Sequence, residues 1–344
     1  MPTNRPPYFI QIGFDFGTAF SKCIYRDVGA DRAFIYRPKK AYNAQLPFLL
    51  PVLLEYRDKK VVSPEPANGF HHPSHLSLLK MALFNINSGK DDDTTVQRCK
   101  KVLDCKVNQL SKRIEAATTY YLALHFSEIE RKIHSQFKGF SDHPDDSLFL
   151  NVAIPVAHAS EPQVSEAFAR IISIAWEARR EITDCDGDLG DIAQRINISA
   201  NKSRASNSCY LYPEVSANVQ GYVRSRTAQP GIYLFVDTGA GTVDQSVFIF
   251  TESGNLAYLC AEVSPLGSSQ IETRAFKQCN RSIDLESLRQ KKEAGQFDHE
   301  AMAAAVDSII EALNSPTHRG LATTYRKGIG TDQIKDLRII FGGG

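Results

Sequence analysis

The chain of 344 residues is long enough for two domains of ordinary size, and its 42% hydrophobic residues can fill their cores. Its 40 lysines and arginines nearly balance its 39 aspartates and glutamates, so no global charge indicates a nucleic acid or an anionic membrane as a partner. The seven cysteines are scattered without a C-x-x-C pair, which argues against a disulfide framework or a zinc site. Because neither a signal-peptide core nor an apolar stretch of bilayer-spanning length is present, we expect a cytoplasmic protein.

The first part of the chain predicts a meander of strands and then helices. Short β-branched and aromatic runs predict strands at Tyr8–Asp15, Phe20–Arg26 and Ala33–Arg37. A short helix is expected over His75–Phe84. Apolar residues at helical spacing from Thr94 to about Phe137 predict one or two long amphipathic helices with a single buried face.

A strand, a helix and an insertion come next along the chain. The apolar run Leu148–Ile154 predicts a strand, and Glu161–Arg180 predicts a helix, which together form a β-α unit. The segment Thr183–Ser208 is rich in Asp, Gly, Asn and Ser, so we expect a surface insertion rather than core. A helical pattern resumes over Leu211–Val223.

Two segments of the chain share one form. IQIGFDFGTAFSKCIYR near the N terminus and IYLFVDTGAGTVDQSVFIF from Ile232 each contain an apolar strand that ends in aspartate, a glycine-threonine turn and a second strand. This indicates an internal duplication with one glycine-rich hairpin in each half. A cleft between two similar lobes is then the expected place for a ligand that contacts both hairpins.

The turns of these hairpins suit a phosphate, because glycine tolerates positive φ and lets several backbone N–H groups point at one place. The turn residues are Gly17 and Thr18 in the first hairpin and Gly239, Gly241 and Thr242 in the second. Asp15 and Asp237 beside the turns would repel a phosphate unless a divalent cation such as Mg²⁺ lay between them. Either segment alone fits an ordinary hairpin turn equally well, and the two matched copies favour the functional interpretation.

Several short segments resemble those of a known superfamily. IGFDFGTAFS resembles the first phosphate motif of actins, sugar kinases and the 70-kilodalton heat-shock chaperones, and VDTGAGTVD resembles their second, D-x-G-G-G-T-x-D, with Ala240 in place of the middle glycine. YPEVSANVQGY, EVSPLGSSQIE and LRQKKEAG with the final LRIIFGGG are similar to further chaperone segments. The resemblance is to the actin-like ATPase superfamily, closest to the chaperones' nucleotide-binding domain. It implies an α/β fold of two ribonuclease-H-like lobes, residues 1–223 and 224–344, with a nucleotide cleft between them.

The resemblance also implies roles for individual residues. Asp15 and Asp237 would hold the water shell of the magnesium ion, and Glu214 and Asp244 would position or deprotonate the attacking water. Lys80 would approach the γ-phosphate, although a solvated lysine on a helix accounts for it equally well. The nucleotide-contacting residues would be Gly17, Thr18, Gly239, Gly241, Thr242, Gly267, Arg289, Lys292, Gly342 and Gly343.

The implied function is a slow, chaperone-like ATPase that binds ATP or ADP with Mg²⁺ and changes the angle between its lobes with nucleotide state. Its partner would be a client or regulatory protein, without nucleic acid or membrane. Three alternatives stay open: an actin-like filament protein, a sugar or metabolite kinase whose acceptor-side base we cannot identify, and a nucleotide-binding module without turnover. The family continues where this chain stops on a glycine turn, so we expect a fragment or an abbreviated member.

Overall fold

The structure is a computed structural model, and it describes residues 5–62, 70–154, 162–181, 187–190, 192, 194, 208–280, 282–297 and 300–343. The described residues form two compact units of mixed α and β structure, unit 1 before Pro213 and unit 2 from Pro213 onward. The boundary therefore lies before the helix Glu214–Val223, which we expected to close the first lobe. Within the described ranges, no helix has both the length and the apolar character that a membrane span requires.

Unit 1 combines a large sheet, a small sheet and helices. Its strands are β1 (Phe9–Asp15), β2 (Phe20–Asp27), β3 (Arg32–Ile35), β4 (Leu50–Pro51), β5 (Leu53–Arg57), β6 (Lys60–Val62), β7 (His75–Ser77), β8 (Ser147–Ile154), β9 (Gly187–Asp188) and β10 (Cys209–Pro213). Its helices are α1 (Leu79–Asn87), α2 (Thr94–Leu103), α3 (Val107–Gln136) and α4 (Pro162–Ala178). The large sheet has the order β10-β8-β1-β2-β3 with β4 paired to β2, and the small sheet has the order β7-β5-β6-β9. The predicted meander is confirmed as β1, β2 and β3.

The strand β1 lies at the centre of the large sheet, antiparallel to β2 and parallel to β8. Its side chains alternate, and Ile10, Ile12 and Phe14 point into the core. Phe126 of α3 packs edge-on against Phe14 at 5.1 Å and against Trp176 of α4 at 5.8 Å. Burial of such rings removes apolar surface from water at about 25 cal/mol per Å², and this packing holds the end of β1 in place.

Helix α3 is buried around more of its circumference than the sequence predicts. The apolar spacing predicts a single buried face, yet every residue from Ala116 to Leu124 is buried. The prediction is wrong for this stretch because α4, α1 and β5 all pack against the helix. The hydroxyls of Thr118 and Thr119 donate to carbonyls one turn earlier at 2.8 Å, so burial leaves them satisfied.

The helix predicted over His75–Phe84 begins later than expected. His75–Ser77 pairs with β5 as strand β7, and Leu78, at φ 57°, separates this strand from α1. A left-handed leucine is uncommon and marks an abrupt change of direction. The β5 partner is distant in sequence, so local periodicity could not indicate the strand.

Two expectations for the later part of unit 1 also change. Much of the segment Thr183–Ser208 lies outside the described residues, but Leu189 and Ile192 are buried in the core rather than at the surface. The pairing of β9 with β6 brings this segment onto the small sheet. The helix expected from Leu211 begins only at Glu214, because the preceding residues form β10.

A buried carboxylate fixes the N terminus of β1 beside the start of β8. Asp146 is only 2% exposed and accepts hydrogen bonds from Arg5 Nη1 at 2.9 Å and from the N–H groups of Tyr8 and Ser141 at 2.8 Å. The Arg5 guanidinium, followed by these N–H groups, holds the pKa of Asp146 well below its usual range. This cluster therefore needs a charged carboxylate.

Unit 2 is built on a four-stranded sheet. Its strands are β11 (Gly231–Thr238), β12 (Val243–Phe250), β13 (Leu256–Ser264) and β14 (Arg338–Gly343), and its helices are α5 (Glu214–Val223), α6 (Ser269–Gln278), α7 (Leu285–Glu293), α8 (Glu300–Arg326) and α9 (Thr331–Lys335). The order is β13-β12-β11-β14, with β11 antiparallel to β12 and parallel to β14. Val219 of α5 packs on the face that carries Tyr233, Phe235 and Phe248, while α8 packs on β12 and β13.

Candidate functional site

The turn Gly239–Thr242 between β11 and β12 is held by its carbonyl groups. The N–H of Gly239 donates to the carbonyl of Thr242 at 2.9 Å and closes the turn. The carbonyls of Gly239, Ala240 and Gly241 accept from the N–H groups of Ser268, Ser269 and Gly267 at 2.9, 2.8 and 3.2 Å. Within the described part of the chain, the N–H groups of Ala240, Gly241 and Thr242 have no hydrogen-bond acceptor. The turn therefore has backbone N–H groups available as donors, while its carbonyl groups already accept hydrogen bonds within the protein.

Three glycines allow the backbone to close around this turn. A Cβ on Gly267 would lie 2.4 Å from the carbonyl carbon of Gly241, so only glycine lets the segment before α6 approach so closely. A Cβ on Gly342 would lie 2.7 Å from the ring of Phe235, and one on Gly343, at φ 105°, would lie 2.3 Å from the carbonyl oxygen of Thr238. The structure thus brings these three predicted residues to the turn or to the strand end beside it.

Two aspartates face each other across the hairpin. Asp237 on β11 is directly opposite Asp244 on β12, so both side chains lie on one face of the sheet. Asp244 is 6% exposed, and its Oδ2 accepts a hydrogen bond from Thr242 Oγ1 at 3.2 Å. Directly opposed like charges destabilise a strand pair, and a cation beside them would remove that cost.

Helix α5 presents three polar residues along one stripe, at intervals of four. Asn218 donates from Nδ2 to Asp237 Oδ2 at 2.6 Å, and the hydroxyl of Tyr222 lies 3.1 Å from that of Tyr233. The helix therefore runs antiparallel to β11, and Glu214, one turn before Asn218, lies toward the strand end that carries the turn. Sequence reasoning identified Glu214 but missed Asn218, whose spacing of four from Glu214 was the available signal.

The acids of the candidate site in unit 2 are a facing pair. Within the described ranges, no group of three or more His, Cys, Asp or Glu side chains is placed to hold a metal ion. Mg²⁺ keeps several of its waters and is usually bound by only one or two protein carboxylates together with substrate phosphates. Asp237 and Asp244 are the residues that would supply such carboxylates.

The hairpin of unit 1 also requires a glycine in its turn, but a base rather than an acid lies opposite its aspartate. Asp15 is directly opposite Lys22 rather than a second acid. A Cβ on Gly17 would lie 2.1 Å from the carbonyl oxygen of Phe20, so the turn requires glycine, and Thr18 beside it is 8% exposed. The sequence analysis identified Asp15, Gly17 and Thr18 but did not single out Lys22.

Three positively charged side chains that the sequence analysis assigned to the nucleotide site have defined neighbours in the structure. Lys80, in the first turn of α1, is 6% exposed and is therefore not a solvated surface lysine. Arg289 of α7 pairs with acids of its own helix at 2.7 and 2.6 Å. Lys292 donates to Glu272 Oε2 at 2.7 Å and to the carbonyl of Ser268 at 3.1 Å, which ties α7 to the segment under the turn. Their contacts with a nucleotide stay predictions.

No protein-family model matches the chain, and a comparison with curated proteins finds no significant match. Its function is therefore argued from the two hairpins and the residues around them.

Proposed function

We propose that the chain binds ATP and ADP with Mg²⁺ and hydrolyses ATP slowly, as the nucleotide-binding domain of the 70-kilodalton heat-shock chaperones does. The turn Gly239–Thr242 carries this proposal, because its carbonyls are bonded to Gly267–Ser269 while three of its N–H groups remain for an anion. The facing pair Asp237 and Asp244 lies at the base of the same turn. A phosphate supplies acceptors for the N–H groups, its bound cation relieves the aspartates, and a magnesium nucleotide provides both.

The strand order of the two units supports the ribonuclease-H-like lobes that the proposal includes. In each unit a third strand, β3 or β13, extends the hairpin in antiparallel fashion. A strand from later in the chain, β8 or β14, then pairs in parallel with the first strand of the hairpin on its other side. This repeated order is expected if the two halves descend from one duplicated lobe.

The proposal assigns a role to each group at the turn and around it. The turn N–H groups bind phosphate oxygens, and Asp237 and Asp244 hold the hydrated Mg²⁺, which neutralises phosphate charge when it is bound. Glu214 orients the attacking water and accepts its proton. By the resemblance, Asp15 would hold the water shell of Mg²⁺ and Thr18 would contact a phosphate.

The proposal includes a partner and a compartment. A switch that follows nucleotide state needs a client or regulatory protein to receive the signal. We place the chain in the cytoplasm, where the thiols of Cys23 and Cys99 and the other described cysteines, which form no disulfide bonds, would stay reduced.

Calorimetric titration with ATP and with ADP, in Mg²⁺ and in EDTA, tests the proposal, followed by phosphate release from the same sample. Asp237→Asn should strongly weaken the magnesium-dependent part of binding. Glu214→Gln should bind normally and release phosphate about 100-fold more slowly, the usual contribution of a general base. Glu252→Gln, which removes an exposed acid at the far end of β12, is the matched control. Wild-type protein that binds no nucleotide in Mg²⁺ would refute the proposal.

The three alternative functions give distinct results in the same assays. A filament-forming ATPase would sediment as polymer after ATP is added, and a sugar or metabolite kinase would release phosphate to an acceptor rather than to water. Slow hydrolysis in a protein that stays unsedimented supports the chaperone-like switch. Tight binding without hydrolysis identifies a nucleotide-binding module.

A further inference from the structure

The hydrogen bond between Asn218 and Asp237 joins helix α5 to the strand end at the turn. Its length of 2.6 Å is short for an N–H donor, and its acceptor is a carboxylate, so it belongs to the stronger, charge-assisted class. Asn218 is exposed. The bond therefore does not exist merely to satisfy a buried amide, since water could do so at that position.

The helix that carries Asn218 is anchored firmly. Val219 is 1% exposed in the core cluster with Tyr233 and Phe235. Tyr233 donates its hydroxyl to the carbonyl of Gln229, so Tyr222 is the donor in the tyrosine pair, and this bond raises the pKa of Tyr222. Asn218 thus projects from a rigid element, as a residue that orients another group must.

The bond divides the two oxygens of Asp237 between two neighbours. Oδ2 accepts from Asn218, whereas Oδ1 lies 3.7 Å from the place where a Cβ on Gly342 would be. The terminal torsion of an aspartate is broad, so a directed hydrogen bond narrows it. The bond from Asn218 holds Oδ2 on the side of α5, while Oδ1 lies toward the glycine end of β14.

We propose that Asn218 is a positioning residue for the magnesium nucleotide: it holds Asp237 in the orientation that receives the water shell of Mg²⁺. This inference rests on the proposed function. Partners that orient metal-binding groups without touching the metal typically change metal affinity 10- to 100-fold when they are removed. The same helix also carries Glu214, so Asn218 links the placement of the ion to that of the attacking water.

The test is a titration of ATP binding by the full chain at a series of Mg²⁺ concentrations, with ATP affinity in EDTA measured separately. Asn218→Ala should raise the Mg²⁺ concentration at half-effect about tenfold or more and leave affinity in EDTA unchanged. Asn218→Gln, which keeps the amide on a longer side chain, should restore part of the loss. Gln220→Ala, on the exposed side of the same helix, should match wild type.

The outcomes separate the two proposals. If wild-type protein needs Mg²⁺ but Asn218→Ala shows an unchanged Mg²⁺ midpoint, the positioning role is overturned and the nucleotide function stands. If Asn218→Ala weakens binding equally in EDTA and in Mg²⁺, or if the glutamine variant is as impaired as alanine, the role is structural and the inference fails. If wild-type protein binds no nucleotide, both proposals are overturned.

Discussion

Replacing Asp244 by asparagine should stabilise the protein in the absence of metal and remove its response to Mg²⁺. Asp237 and Asp244 are directly opposed, which places their Cβ atoms about 5 Å apart. At an effective dielectric constant near 20, two charges at that separation repel by about 3 kcal/mol. Donors from Asn218 and Thr242 offset much of this, so the net gain on removing one charge is about 1 kcal/mol, at the upper end for cross-strand pairs.

Scanning calorimetry in EDTA and at rising MgCl₂ concentration measures this effect. A gain of about 1 kcal/mol should raise the Tm of Asp244→Asn by about 3 °C over wild type in EDTA. Wild-type Tm should rise with Mg²⁺, because an ion that binds the folded state stabilises it by mass action, while the variant should not respond. Glu252→Gln controls for the loss of one negative charge. A variant less stable than wild type in EDTA, or a wild-type Tm indifferent to Mg²⁺, would refute the argument that these carboxylates repel each other until a cation binds.

Four further substitutions test other parts of the structure. Gly267→Ala should abolish nucleotide binding, because its Cβ would displace the turn; binding titrations measure this. Gly221→Ala, whose Cβ meets open space within α5, should instead raise the free energy of unfolding by up to about 1 kcal/mol, as melting curves would show. Asp146→Asn should lower the free energy of unfolding by about 2 kcal/mol at pH 7, and denaturant titration measures this loss. Because folding lowers the pKa of Asp146, this stability is fully present above the ordinary pKa of about 4, and wild type should lose it progressively as the pH falls from there toward the lowered pKa of the folded state. Asp15→Asn should weaken Mg²⁺-dependent binding less than Asp237→Asn, and together they should abolish it; equal single effects would contradict the difference in charge between the hairpins.

The sequence predicts the parts of this fold that depend on local pattern. Runs of β-branched and aromatic residues identify β1 and β11, and the glycine-rich segments identify both hairpin turns. The helix α4 is found within a few residues of its predicted ends. These features can be predicted because strand runs, turn glycines and helical spacing are patterns among residues that are neighbours in the sequence.

Features that depend on residues far apart in the sequence cannot be predicted from such local patterns. His75–Ser77 is a strand because β5 lies beside it, and the stretch Ala116–Leu124 is buried all round because several elements surround it. Asn218 contacts Asp237 only because α5 packs along β11. In the candidate site, the sequence therefore predicts the glycine, threonine and aspartate residues of the turns, whereas the orienting residue Asn218 is identified only by the packing of α5 on the sheet.

The two hairpins differ in the residue opposite the aspartate, and that difference assigns them different tasks. Asp15 faces Lys22, so the strand pair in unit 1 already contains opposite charges and needs no added cation at that position. Asp237 faces Asp244, so the strand pair in unit 2 places two acids directly opposite each other. If the two lobes descend from one duplicated lobe, the ion is required at only one of the two hairpins. We therefore expect Mg²⁺ chiefly at the hairpin of unit 2, and we expect Asp15, which the resemblance made an equal partner in holding the ion, to contribute less to Mg²⁺ binding.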